Sequence, residues 1–163
     1  MEQRTMALVG KQQPDFTHPM GTHSSGMSPD TIASDAHDLR CLLEPAVLRQ
    51  TVGLLEARQL EHIVDALEVL GTCELDRALQ LYQQAHLELY RVAPCQRLVA
   101  MVEVELAAAQ PVLAHYLQAQ QQRQAFVQYF RELVGNIAQG RPAQAVELLR
   151  CHLALLKRSW ASH

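Results

Sequence analysis

Two histidines stand where chemistry could be done. A helical stripe through Leu75, Leu79, Tyr82, His86 and Leu89 sets His86 on an apolar face, and a second through Ala145, Leu149, His152 and Leu156 does the same for His152. A buried imidazole without a hydrogen-bond partner is costly, so each ring needs a reason to be inside. Two reasons stay open. Each is a core side chain bonded to a backbone carbonyl or a Tyr hydroxyl, or the two rings together line a binding pocket.

The remaining reactive side chains point to no reaction. Cys41, Cys73, Cys95 and Cys151 form no C-x-x-C pair, which excludes zinc-finger and thioredoxin-like readings and fits a reducing compartment. Cys151 adjoins His152, but neighbours on a helix point about 100° apart and do not meet. His18, His23 and His37 lack ligand spacing. The sequence has no G-x-S-x-G, no H-E-x-x-H and no phosphate loop, so no enzyme is expected.

The elements that must position the histidines read as helices. The 163 residues suffice for one domain with a core, 48% are hydrophobic, aromatics are few, and Leu, Ala and Gln are plentiful. The expectation is an all-α, antiparallel six-helix bundle over residues 35–160, preceded by a disordered arm over 1–34 that holds Pro14, Pro19, Gly21 and Gly26. Ser34 is expected to cap the first helix, whose apolar stripe reads Leu39, Leu42, Leu43, Ala46 and Val47, with Pro45 kinking it or resetting its start. The second helix spans 56–70 with Leu60, Ile63, Leu67 and Leu70 inward. The third carries His86. The fourth carries Leu98, Val102, Leu106, Ala109 and Leu113 and bends at Pro111. The fifth carries Phe126, Phe130, Leu133 and Ile137 and ends at Gly140. Pro142 opens the sixth, which carries His152. The run Gln118–Gln124 reads as a solvated helix junction.

The formal net charge of −3, with no run of like charges, gives no footprint for nucleic acid or an anionic membrane. No stretch approaches about 18 apolar residues and no leader is visible, so a cytoplasmic protein is expected.

At this point a resemblance appears. The segment Asp38-Leu-Arg-Cys-Leu-Leu-Glu-Pro-Ala-Val-Leu-Arg49 and the closing Ile137-Ala-Gln-Gly-Arg-Pro-Ala-Gln-Ala-Val-Glu-Leu-Leu-Arg-Cys-His-Leu153 are similar to the first and last helices of the FCD domain. That domain is the C-terminal effector domain of the FadR subfamily of GntR-type bacterial transcription regulators. The likeness runs from Asp38 to Lys157. It implies a ligand-sensing, dimerising domain whose pocket often holds a divalent metal on one Asp and three His. On that pattern His86 and His152 take two ligand positions, Tyr82 stands at the Asp position, Phe130 at the middle His, and Cys95 where an Asn is usual.

The departures bear on the metal. Two neutral imidazoles rarely hold Zn²⁺, Ni²⁺ or Mn²⁺ firmly, Phe130 cannot ligate, and Tyr82 would have to be a phenolate. Three outcomes remain open: a weak metal site on His86 and His152 completed by Glu105 or a bound acid, a metal-free pocket of His86, His152, Tyr82 and Phe130 for a small organic acid, or a collapsed core. Such regulators place a winged helix-turn-helix before this domain, and the residues ahead of Asp38 lack its periods and basic recognition helix, so this chain is not expected to bind DNA directly. A small-molecule effector and a second copy of the chain are the expected partners. The alternative is a ligand-free helical module that pairs with itself or with an intact regulator.

Overall fold

The computed structural model describes residues 27–162; residues 1–26 of the expected arm, with His18 and His23, lie outside the described residues. The fold is all-α. In order come α1 (Pro29–Thr51), α2 (Ala57–Leu67), a 3-10 turn (Glu68–Gly71), α3 (Leu75–Tyr90), α4 (Gln96–Ala108), α5 (Gln110–Leu117), α6 (Gln120–Ala138) and α7 (Pro142–Ala161). Helix α1 lies against α4 and α7, and α7 packs in turn on α5 and α6.

All six expected helices are present, and the fourth is divided into α4 and α5 by a bend of 59° at Ala109. Pro111 accounts for the division: it has no N–H to offer the preceding turn, and its ring collides with a carbonyl there. The second helix buries Leu60, Ile63, Leu67 and Leu70 as its stripe predicts, though its last turn tightens to 3-10 geometry. Gly140 ends α6 in the left-handed region at φ 64°, where its N–H and that of Arg141 satisfy the carbonyls of Ile137 and Asn136.

Helix α1 departs from expectation twice. It begins at Pro29, inside the expected arm, because Ser28 rather than Ser34 is the cap: its Oγ accepts the Thr31 N–H at 3.1 Å, and Pro29 opens the helix with no N–H to leave unpaired. Pro45 neither resets that start nor interrupts the helix. The buried face is also rotated. Of the expected stripe only Val47 is fully buried; Leu39, Leu42 and Ala46 are exposed, Leu42 at 72%. The inward positions are Ala33, Ala36, His37, Arg40, Glu44, Pro45, Val47, Leu48 and Thr51. An apolar count assigns Arg and Glu to water, but here the two satisfy each other inside.

Among the described residues no single helix is long and apolar enough to cross a membrane.

Candidate functional site

The rotation of α1 brings a charged pair into the centre of the bundle. Arg40 and Glu44 are both fully buried, with Nε donating to Oε1 at 2.5 Å. Across the core, Arg40 Nη2 donates to the Tyr82 hydroxyl of α3 at 3.1 Å, and the Tyr90 hydroxyl donates to the second Glu44 oxygen at 2.7 Å. Tyr82 Oη in turn lies 3.1 Å from His152 Nε2 of α7. Arginine can only donate, so the Tyr82 hydroxyl keeps its own proton to give, and His152 Nε2 is the acceptor within reach. His86 lies one turn beyond Tyr82, with Nδ1 3.0 Å from the Tyr82 carbonyl. A carbonyl only accepts, so Nδ1 holds the ring proton and Nε2 is a bare lone pair.

The rings around this chain are in contact. His152 stacks on Tyr129 with centroids 4.1 Å apart, and Phe126 lies 5.5 Å from His152 and 5.9 Å from His86. Phe130 meets His86 edge-on at 5.5 Å, and the two imidazoles are 6.4 Å apart in nearly parallel planes. The structure thus brings His86, His152, Tyr82 and Phe130 into one cluster. Glu105, half-buried on α4, and Cys95, exposed at the start of α4, take no part in its hydrogen bonds.

The electrostatics follow from burial. Desolvation pushes His86 down to about 4 and, with the positive charge of Arg40 nearby, holds His152 well below its ordinary value, so both are neutral near neutral pH. Burial alone would raise Glu44, but Arg40 and the Tyr90 hydrogen bond outweigh it and keep the carboxyl below its usual range. Desolvation pushes the Tyr82 phenol up, away from phenolate. The cluster carries one positive and one negative charge.

These residues do not fit a divalent metal. The described residues contain no group of three or more His, Cys, Asp or Glu side chains able to share an ion. The His152 Nε2 lone pair is taken by Tyr82, Tyr82 is a neutral phenol, and a buried guanidinium stands on that same hydroxyl. Within the cluster that leaves one free ligand nitrogen, His86 Nε2, where such ions usually take at least three protein ligands.

Three buried polar atoms of the cluster have no hydrogen-bond partner: Arg40 Nη1, His86 Nε2 and Tyr129 Oη. A surface cleft of about 230 Å³, lined by Tyr116, Tyr129, Cys151, His152, Leu155 and Arg158 among others, reaches the Tyr129–His152 stack. Arg40, Glu44, Tyr90 and Tyr129 are the members that sequence reasoning passed over. A signal existed: Ala33, Ala36, Arg40, Glu44, Val47 and Thr51 recur with helical period, and Arg40 and Glu44 are spaced i, i+4.

Comparison with known proteins agrees with this architecture. The FCD domain family matches residues 35–155. Among solved structures, the chain is similar to a transcriptional regulator, a GntR family member, from Pseudomonas syringae pv. tomato str. DC3000. The two share 26% identity with a TM-score of 0.66, over 80% of this chain and 55% of that one. The chain therefore spans little more than half the length of that regulator. No curated protein matches it. With three quarters of its length matched, the chain belongs to the FCD domain family, the effector-domain type of GntR-family transcription regulators.

Proposed function

We propose that this domain senses a small organic acid on behalf of a GntR-type transcription regulator and catalyses no reaction. The effector binds at Tyr82, His86 and His152, with Phe130 as an apolar wall. The observation that carries this reading is the set of unspent polar atoms in the cluster. An unpartnered buried polar group costs about 1–3 kcal/mol, so a core that keeps a guanidinium nitrogen, an imidazole lone pair and a phenol together in that state is built for something besides packing. A carboxylate would accept from Arg40 Nη1, and a hydroxyl or protonated carboxyl would donate to His86 Nε2. The cleft beside His152 offers the way in, with Arg158 at its edge to draw an anion.

Tyr82 joins α1 through Arg40 and α7 through His152. A ligand that draws on Arg40 Nη1 pulls the guanidinium that holds this bridge through Nη2 and so shifts α1 relative to α7. On the solvent side of α1 and α4, Leu39, Leu42, Met101 and Val104 are exposed, and α1 and α4 lie against each other. We assign that face to a second copy of the chain, so a shift of α1 changes dimer geometry.

The test is a thermal melt with short mono-, di- and hydroxycarboxylic acids. At least one should raise the melting temperature of the native chain, and His86→Ala and His152→Ala should each remove the rise. No rise with any acid, or a rise unchanged in both variants, overturns the pocket assignment. The exposed apolar face also supports the second reading, a ligand-free pairing module. Under that reading size exclusion gives a dimer, or a mixed dimer with an intact regulator, and no acid changes it.

A further inference from the structure

We infer that Tyr82 closes this cluster to a divalent ion: its hydroxyl, fixed by Arg40, occupies the His152 nitrogen that a metal would need, and the buried Arg40 guanidinium, paired with Glu44, is the cluster's standing cation. The role of Arg40 as the effector's anchor rests on the sensing function proposed above; the exclusion of metal does not.

Three relationships carry the inference. The first is position. Tyr82 stands where the resembling domains would carry a ligand carboxylate, and its hydroxyl holds the one His152 nitrogen shown bonded in the cluster, at 3.1 Å. An ion reaching that nitrogen would have to displace the hydroxyl and leave Arg40 Nη2 without its acceptor. The second is charge. The cation of Arg40 is matched by a single carboxylate, Glu44, and no other acidic side chain appears in the cluster's hydrogen bonds. A metal dication would enter a site of no net negative charge, beside a guanidinium that cannot lose its proton. The third is shape. The His86 and His152 rings lie in planes only 18° apart with Phe126 in contact with both, and Phe130 lies edge-on to His86. Aromatic carbon lies against His86, whose Nε2 is the unpartnered imidazole nitrogen of the cluster.

The consequence is a pocket whose positive charge is covalently part of the chain. A carboxylate meets it with no metal to load first, and chelators leave the response intact. The exclusion is also reversible. Tyr82→Asp removes the hydroxyl, frees His152 and adds a carboxylate, and Phe130→His adds an imidazole against His86.

The experiment is a melt of chelator-stripped protein with excess Zn²⁺, Ni²⁺ or Mn²⁺, joined to calorimetric metal titration. For the native chain we expect no site-specific binding. For Tyr82→Asp/Phe130→His we expect about one ion per chain and a rise of about 5 to 10 °C at a hundredfold excess over Kd, reversed by chelator and abolished by adding His86→Ala. If the double variant does not fold by circular dichroism, Tyr82→Asp alone must gain metal binding over the native chain. Stoichiometric metal binding by the native chain, lost in His86→Ala, overturns the inference, as does a folded variant carrying Tyr82→Asp that binds no metal. The carboxylate melts, repeated in chelator, separate this from the sensing function. A carboxylate response that needs metal sinks the guanidinium's role. No carboxylate response with or without metal sinks the sensing function and leaves the exclusion of metal standing on the titration.

Discussion

Arg40 and Glu44 sit one turn apart on α1, fully buried, with Nε and Oε1 at 2.5 Å. Neither is replaceable alone. Removing one partner leaves the other charge buried and unmatched, which costs about 3–5 kcal/mol, whereas replacing both by apolar side chains of similar volume is often neutral or better. Arg40→Ala and Glu44→Ala should each lower stability in urea denaturation by that amount. Arg40→Met/Glu44→Leu should recover most of it. If the double variant folds as well as the native chain and answers no carboxylic acid, the pair is kept for binding rather than for stability.

Tyr82 is the joint between that pair and α7. Tyr82→Phe keeps the ring contacts with His86 and Phe126 and removes only the hydroxyl that serves Arg40 Nη2 and His152 Nε2. It should cost about 1–3 kcal/mol, because both partners are left unsatisfied in the core. A double-mutant cycle with His152→Leu checks the cause. The two losses should fall short of additivity by about 0.5–3 kcal/mol, and simple additivity would mean that the bond contributes nothing.

Most of the fold was legible in the sequence because its helices bury what period predicts. Leu60, Ile63, Leu67 and Leu70 went inward, and Phe126, Phe130, Leu133 and Ile137 did the same on α6. Gly140 ended α6 because a left-handed residue was needed there. The four residues singled out for the pocket also meet in space. What could not be read was α1. Apolar side chains and charged ones compete for the inward face, and the winner depends on partners far along the chain: Tyr82 lies 42 residues from Arg40, and Tyr90 lies 46 from Glu44. No local pattern announces that Glu44 will have Tyr90 to donate to it. The same blindness hid the tautomers of His86 and His152, which are fixed by what each nitrogen meets.

Acid should destabilise the domain well before its carboxylates titrate. An unfolded His binds a proton near pH 6.5, while folded His86 resists until about 4. The unfolded state therefore holds more protons between these values. The stabilisation is complete above pH 6.5 and is lost as pH falls toward 4, by up to about 3 kcal/mol for a shift of this size. His152 is lowered too and adds in the same direction, whereas Glu44 contributes only below its ordinary range. Urea midpoints at pH 7.5, 6, 5 and 4.5 should fall steadily. His86→Phe, which suits the neighbouring Phe126 and Phe130, should flatten part of that decline. An equal slope in the variant would mean that His86 is not the group responsible.

The exposed side chains on α1 and α4 separate surface from interior. Leu42 and Val104 are 72% and 63% exposed, so within one chain Leu42→Asp and Val104→Asp remove little packing and should shift stability by about 0.5 kcal/mol or less. In a dimer that buries this face the same changes would place carboxylates in an apolar seam with Leu39 and Met101. We expect light scattering after size exclusion to give twice the chain mass for the native protein and the single-chain mass for Leu42→Asp/Val104→Asp. The melting temperature of the variant should also lose its dependence on protein concentration, since only a coupled equilibrium carries one. A variant that stays dimeric would move the contact elsewhere on the molecule. A native chain that is monomeric at all concentrations would leave these leucines and valines as ordinary exposed apolar residues, and the coupling of effector to dimer geometry would fall with them.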